Sequence, residues 1–406
     1  MMRLNRFLNQ ILAIVFFAAL YSCNELPTEI TYSLLYDTTE VSAISSDTVE
    51  FFSGGQSKFV FAQIFNTGAI FLGGWNGYRA ASLLRFKESN LPDTLLWLTE
   101  ERIDSVHLVL PFSNYALGET INSTISFKVF LIKDYWTNKV TWDSIFTDWN
   151  PNNKIEPMPL GSFYGNIKST DSIKELAIPL KKDFILDWLQ KSKDSIPIWG
   201  LLIAPEPNCN SIHQISAQYV TESKVLHPKL IVNYKYLDGS DRIWYIHSAI
   251  DASVVDVPKF DTLRSLVVQS GYSYRVALSF DVSKLPPLSA IHYAQLELTI
   301  DSENTIYGGS GLDTIFSGGY FGNSPLDSVP IISFLGRRQG DKVIFSKVSS
   351  PIELWLKQDA KGEILLYSYY WNEMRTLNRI AFFGFDAPDP MKRPKLKIIY
   401  SKRLLK

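Results

Sequence analysis

Two stretches of this chain read alike. "YRAASLLRFKESNLP" begins at Tyr78 and "YRVALSFDVSKLPP" at Tyr274. Each runs from Tyr-Arg through small and apolar residues to Phe, then through a polar stretch to Leu-Pro. An alternating strand follows each. "DSVHLVL" places Val106, Leu108 and Leu110 on one face. "IHYAQLELTID" places Ala294, Leu296, Leu298 and Ile300 on one face, with Gln295, Glu297 and Thr299 opposite. The ends match too: "HPKLIVNYK" from His227 and "RPKLKIIYS" from Arg393 each follow Pro-Lys-Leu with apolar alternation. Upstream, "WGLLIAP" from Trp199 parallels "FFGFDAP" from Phe382. The chain therefore holds two copies of one unit. They meet at "YLDGSD", residues 236–241, a polar link containing Gly239.

Each copy is rich in Val, Ile, Phe, Tyr and Thr, with turn signals at short intervals, and predicts antiparallel strands in a sandwich. Two short helices interrupt the pattern. Phe184, Ile185, Trp188 and Leu189 fall at helical spacing, as do Ile352, Trp355 and Leu356. The fold class expected is all-β, two tandem β-sandwich domains with one short helix each. Their bounds are 45–236 and 241–401.

The N-terminus sets the expected compartment. Arg3 and Arg6 precede the apolar run "ILAIVFFAAL", and small residues follow, as in a secretory leader. The run is shorter than the ~20 residues of a membrane span. Leu20-Tyr21-Ser22-Cys23 resembles a bacterial lipobox, which implies cleavage after residue 22 and acylation of Cys23. Residues 23–44 then form a tether, and membrane lipid is a partner through Cys23. Asn24 is not Asp, which favours the outer membrane within a bacterial cell envelope. Cys209 is the other cysteine, so with Cys23 acylated the fold rests on its core, not on a disulfide. Loss of the leader leaves 38 basic against 41 acidic residues, a net of −3. That balance offers no basic face for nucleic acid.

The combination "SLLRF" with a following "LP", "W…VTW" at Trp136 and Trp142, a Trp-bearing helix, "GLLI" and "PKLIVNY" resembles the DNRLRE-type domain, a disaggregatase-related repeat. The likeness covers most of residues 45–236 and, more weakly, 240–401. It implies a jelly roll of the carbohydrate-binding-module kind, in a family with some members linked to acidic polysaccharides such as alginate. In that pattern the two tryptophans flank a turn, with Trp142 on a core-facing strand and Trp136 nearer the loop. Copy two has no such pair; it carries "YGGSGLDTIFSGGYFGNSP" instead, with "GGSGL" as a hairpin tip.

Catalytic signals are sparse. His107, His213, His227, His247 and His292 are scattered and form no zinc-binding pair in sequence. No Gly-x-Ser-x-Gly elbow occurs. Cys209 has His213 four residues on, a spacing that reads as a loop cysteine before a catalytic pair. Asp148, Asn150 and Asn152 share the spacing that opens a calcium loop but lack its Gly and distal Glu, so they read as an Asn-rich turn with structural calcium as the alternative.

The function expected is a non-catalytic envelope lipoprotein displaying two modules that bind extracellular polysaccharide. The alternatives are an adhesive protein that binds other proteins, and a glycan-active enzyme such as a lyase, which needs no local motif. Candidate ligand-stacking rings are Trp75, Trp97, Trp136 and Trp149 in copy one, and Tyr307, Tyr320 and Trp371 in copy two, each beside Gly, Asn or charged residues.

Overall fold

The computed structural model describes residues 41–60, 64–86, 91–168, 174–217, 219–220, 225–309 and 313–402. The leader, Cys23, most of the 23–44 tether and the tip of "GGSGL" lie outside the described residues. Among those described, no helix is long and apolar enough to cross a membrane.

The fold is all-β, built from two large antiparallel sheets curled into β-sandwiches. In the first, Tyr78–Phe86 lies between Leu201–Pro205 and Asp241–Asp256, while Ile103–Gly118 lies between Lys174–Leu180 and Lys229–Lys235. In the second, Tyr274–Asp281 lies between Lys361–Ser368 and Phe52–Phe59, while Ala290–Thr299 lies between Lys342–Phe345 and Lys395–Ser401. The apolar alternation decides which way each strand faces. Val106, Leu108 and Leu110 lie opposite Leu180, Ile178 and Leu176, and all three are buried. Ala294, Leu296 and Leu298 are likewise buried.

The helices Asp183–Lys193 and Ser349–Leu356 form where the spacing predicts. Each lays its buried tryptophan, Trp188 or Trp355, on its own core. Two further single-turn helices, Trp142–Ile145 and Tyr370–Glu373, were not legible as helix. One pairing of the sequence alignment changes. The place of Leu201–Pro205 beside the Tyr-Arg strand is taken in the second sheet by Lys361–Ser368, whereas Arg379–Phe382, at the start of "FFGFDAP", pairs with Leu266–Gln269.

The sheets also part elsewhere than at residues 236–241. That link is a tight hairpin: Tyr236 N–H donates to the Ser240 carbonyl and Gly239 N–H to the Tyr236 carbonyl, at 2.8 and 2.9 Å. Gly239 takes φ +83°, which glycine adopts without strain. The hairpin returns Asp241–Asp256 onto the first sheet, where it pairs first with Lys229–Lys235 and then with Tyr78–Phe86. Val41–Ser45 and Phe52–Phe59 do the same for the second sheet, pairing with Lys395–Ser401 and Tyr274–Asp281. Each copy's opening strand thus completes the other copy's sheet. The bounds 45–236 and 241–401 follow the repeat in sequence order, and strand pairing crosses them.

The halves also share a core. Phe71, Tyr78, Tyr115, Ile212 and Val255 of the first pack with Leu377 of the second. A buried and a half-buried polar group lock this joint. Tyr115 Oη accepts from Leu377 N at 2.7 Å, and Gln214 Nε2 donates to the Arg375 carbonyl at 2.6 Å.

Candidate functional site

The two tryptophans of "YWTNKVTW" are both buried and form no exposed flat platform. Val140 N–H donates to the Thr137 carbonyl at 3.1 Å, closing the turn between them. A capping box then starts a helix: Thr141 N–H donates to Ser144 Oγ at 3.0 Å, and the Thr141 side chain caps the Ser144 N–H. Trp142 is therefore the first residue of a helix and not of a strand, although buried as expected at 4% exposure. Trp136 is buried too, at 5%, and this overturns its assignment as a ligand-stacking ring. With Ile145, Phe146 and Ile155 they cap the outer face of the first sheet, over Ala81, Leu83, Leu202, Ala252 and Val254.

Two arginines of the Tyr78–Phe86 strand fill the gaps under this cap. Arg85 lies 4.8 Å from the centre of the Trp136 ring and donates to the Trp136 carbonyl at 2.9 Å. Arg79 lies 4.8 Å from the Trp142 ring and 5.4 Å from that of Trp149, and bonds Asp256 and Asp148. Its repeat counterpart, Arg275, sits 4.2 Å from the Tyr367 ring and bonds Glu373. The Tyr-Arg that opens both copies is thus a structural device, an arginine bracing the outer face of each sheet.

The other rings proposed from sequence do not converge. All those described are half-buried or buried. Trp149 lies so close over Gly74 that a Cβ there would come within 2.7 Å of the ring. Trp75 stacks on Tyr78 at 6.0 Å, and Trp97 packs edge-on against Tyr236 at 5.3 Å. Tyr307 Oη accepts from Arg338, and Tyr320 meets Trp355 edge-on. Trp371 lies in the Tyr370–Glu373 helix, and its side chain is outside the description.

What does converge is a cleft of about 180 Å³ between the cap, the Asp241–Asp256 strand and the second half. Phe59 and Tyr272 supply rings, with the buried Trp142 at its wall; Asn138, Asp143 and Asp256 supply polar groups. Burial raises the Tyr272 phenol above its ordinary value, helped by Tyr274 and by the carboxylates of Asp256 and Asp143, so it stays a neutral donor. Asn138, Trp142 and Asp143 come from the "YWTNKVTWDS" stretch, but Phe59, Asp256 and Tyr272 come from separate segments, and no local pattern announces that they meet.

The titratable groups singled out from sequence find other partners. Cys209 Sγ lies against the Ser126 backbone, and burial pushes its thiol up, away from the reactive thiolate. His213 Nε2 instead lies 2.5 Å from Ser123 Oγ and 3.1 Å from Ser211 Oγ, all three fully buried. Burial drives its imidazole down to about 4, so it is neutral. A serine–histidine contact sealed from solvent cannot reach a substrate. His227 and His247, scattered in sequence, meet at 2.5 Å between Nε2 and Nδ1. In the Asn-rich turn, Asp148 Oδ1 accepts from Arg79, while Asn152 donates to the Ser144 carbonyl and accepts from Lys154 N–H. Among the described residues no three His, Cys, Asp or Glu side chains gather as metal ligands.

No protein-family model matches the chain, and no curated protein matches it.

Proposed function

We propose that the chain is a non-catalytic envelope lipoprotein, anchored through Cys23, whose paired β-sandwiches bind extracellular polysaccharide in the cleft between them. The observation that carries this reading is the cleft's make-up. The rings of Phe59 and Tyr272, packed on each other at 5.0 Å, line it together with the carboxylates of Asp143 and Asp256 and the amide of Asn138. Sugars are recognised by this mixture: C–H faces pack on rings, and hydroxyls donate to carboxylates and amides. The leader and lipobox support surface display, and the resemblance to a carbohydrate-binding jelly roll supports the ligand class.

The test is a glycan array probed with the chain lacking its leader, beside Tyr272→Ala. Tyr272 is only partly buried, and a thermal melt of the variant separates lost binding from a lost fold. Glycans bound by the parent should bind the variant about tenfold more weakly or not at all. An array without signal, or signals that the variant keeps in full, would overturn the reading. Acyl labelling of the parent and of Cys23→Ala tests the anchor separately.

A further inference from the structure

We infer that the inter-half cleft selects a neutral or amine-bearing sugar ring and rejects uronates, an inference that rests on the glycan-binding reading above. Among the described residues, the cleft's lining contains Asp143 and Asp256 and no lysine, arginine or histidine. The nearby guanidinium is Arg79, and its donors are already engaged. Nε and Nη2 reach Asp256 Oδ2, and Nη1 reaches Asp148 Oδ1 at 2.7 Å. It also lies against the rings of Trp142 and Trp149, 4.8 and 5.4 Å from their centres. Asp256 is already paired with Arg79, so an acidic sugar would bring its carboxylate toward the Asp143 carboxylate with no cation among the described lining residues to receive it, and like charges at close range exclude a wrong ligand.

A protonated amine meets the opposite field. It can approach the Asp143 carboxylate beside the aromatic lining of Phe59 and Tyr272. Size narrows the choice further. At about 180 Å³ the cleft is smaller than the ~300 Å³ pockets that enclose drug-sized ligands, so it admits one ring of a chain whose remainder lies outside. This charge pattern sets the chain apart from the acidic polysaccharides that the family resemblance implies.

The experiment is calorimetric titration of the chain lacking its leader with three probes of similar length. These are chitosan oligosaccharide (amine-bearing), its fully N-acetylated form (neutral) and alginate oligosaccharide (uronate). Each is run at low and high salt, on the parent and on Asp143→Asn, an exposed position whose change spares the fold. The amine-bearing and neutral probes should both bind more tightly than alginate. Only the amine-bearing probe should weaken with salt and, by about five- to tenfold, in Asp143→Asn. Alginate binding as tightly as the other two would overturn the inference while leaving the glycan reading standing. Amine binding that Asp143→Asn and salt leave unchanged would overturn the charge argument. No binding by any probe, with an array signal for some other glycan, would refute this sugar class; no binding anywhere would refute both readings.

Discussion

The indole N–H of Trp136 donates to the carbonyl oxygen of Trp199 at 2.8 Å. This bond ties the cap of the first sheet to the segment that enters Leu201–Pro205, and it satisfies the one polar atom of a ring that is otherwise sealed. Arg85 closes the ring's open face. Together they make Trp136 part of a second apolar layer, outside the sandwich core proper.

Trp136→Ala and Trp142→Ala should therefore cost similar stability, about 3–5 kcal/mol each, because lost transfer energy and the cavity left behind add. Sequence context alone suggests less than ~1 kcal/mol for Trp136, as for an exposed loop residue. Urea unfolding of both variants separates the two outcomes. A loss below about 1 kcal/mol for Trp136→Ala would mean that the cap does not seal the ring.

Why one burial was readable and the other was not is a matter of range. Strand faces such as Val106, Leu108 and Leu110, and helix faces such as Phe184, Ile185 and Trp188, follow from spacing within one element. Their period is local and survives in the sequence. Trp136 is covered by Arg85 and Trp199, which lie far along the chain, and its neighbours Thr137, Asn138 and Lys139 suggest only a turn. The cleft is hidden for the same reason, since Phe59, Asp143, Asp256 and Tyr272 meet through strand pairing across the repeat boundary. A repeated sequence fixes the order of strands within a unit. It does not say whose sheet the first strand joins.

The response to pH should expose two buried groups working in opposite senses. Burial raises the Asp251 carboxyl from 3.8 to about 7, and its Oδ1 makes no hydrogen bond among the described residues. Its neutral form suits the fold, so its contribution is intact below about pH 4 and is lost as pH rises through about 7. At ~1.4 kcal/mol per pH unit this amounts to about 4 kcal/mol. His213, lowered from 6.5 to about 4, acts oppositely: its contribution is present above 6.5 and is lost as pH falls through about 4. The two largely offset each other between pH 4 and 7. Asp251→Asn should remove one side, leaving a melting temperature that climbs with pH across that window more steeply than the parent's. Parallel profiles for parent and variant would show that Asp251 does not titrate in this range.

The crossing of strands between repeats predicts what a single cut will do. Gly239 sits at the exposed tip of the hairpin at φ +83°, so a protease site is inserted after it, keeping the glycine, where the tip is open to solvent and the added loop leaves the sheets untouched. Cleavage leaves one fragment ending at residue 239 and another starting at 240. If the halves were independent, the fragments would part as two folded domains. In this fold each holds the other's strand. Asp241–Asp256 stays paired with Lys229–Lys235 and Tyr78–Phe86 across the cut, while Phe52–Phe59 stays paired with Tyr274–Asp281. Asp256 still grips Arg79, and Tyr115 still meets Leu377 and Asn378 in the shared core. The nicked protein should elute as one particle of unchanged size on native size-exclusion chromatography and separate only in denaturant. Its unfolding should become dependent on protein concentration, because the covalent link that held the strands at high effective concentration is gone. Each fragment made alone should lack the strand its sheet requires, and mixing the two should restore cooperative melting. Fragments that drift apart in native buffer after the cut would show that each sheet closes with its own copy's strand, and that the sequence boundary at residues 236–241 is also the structural one.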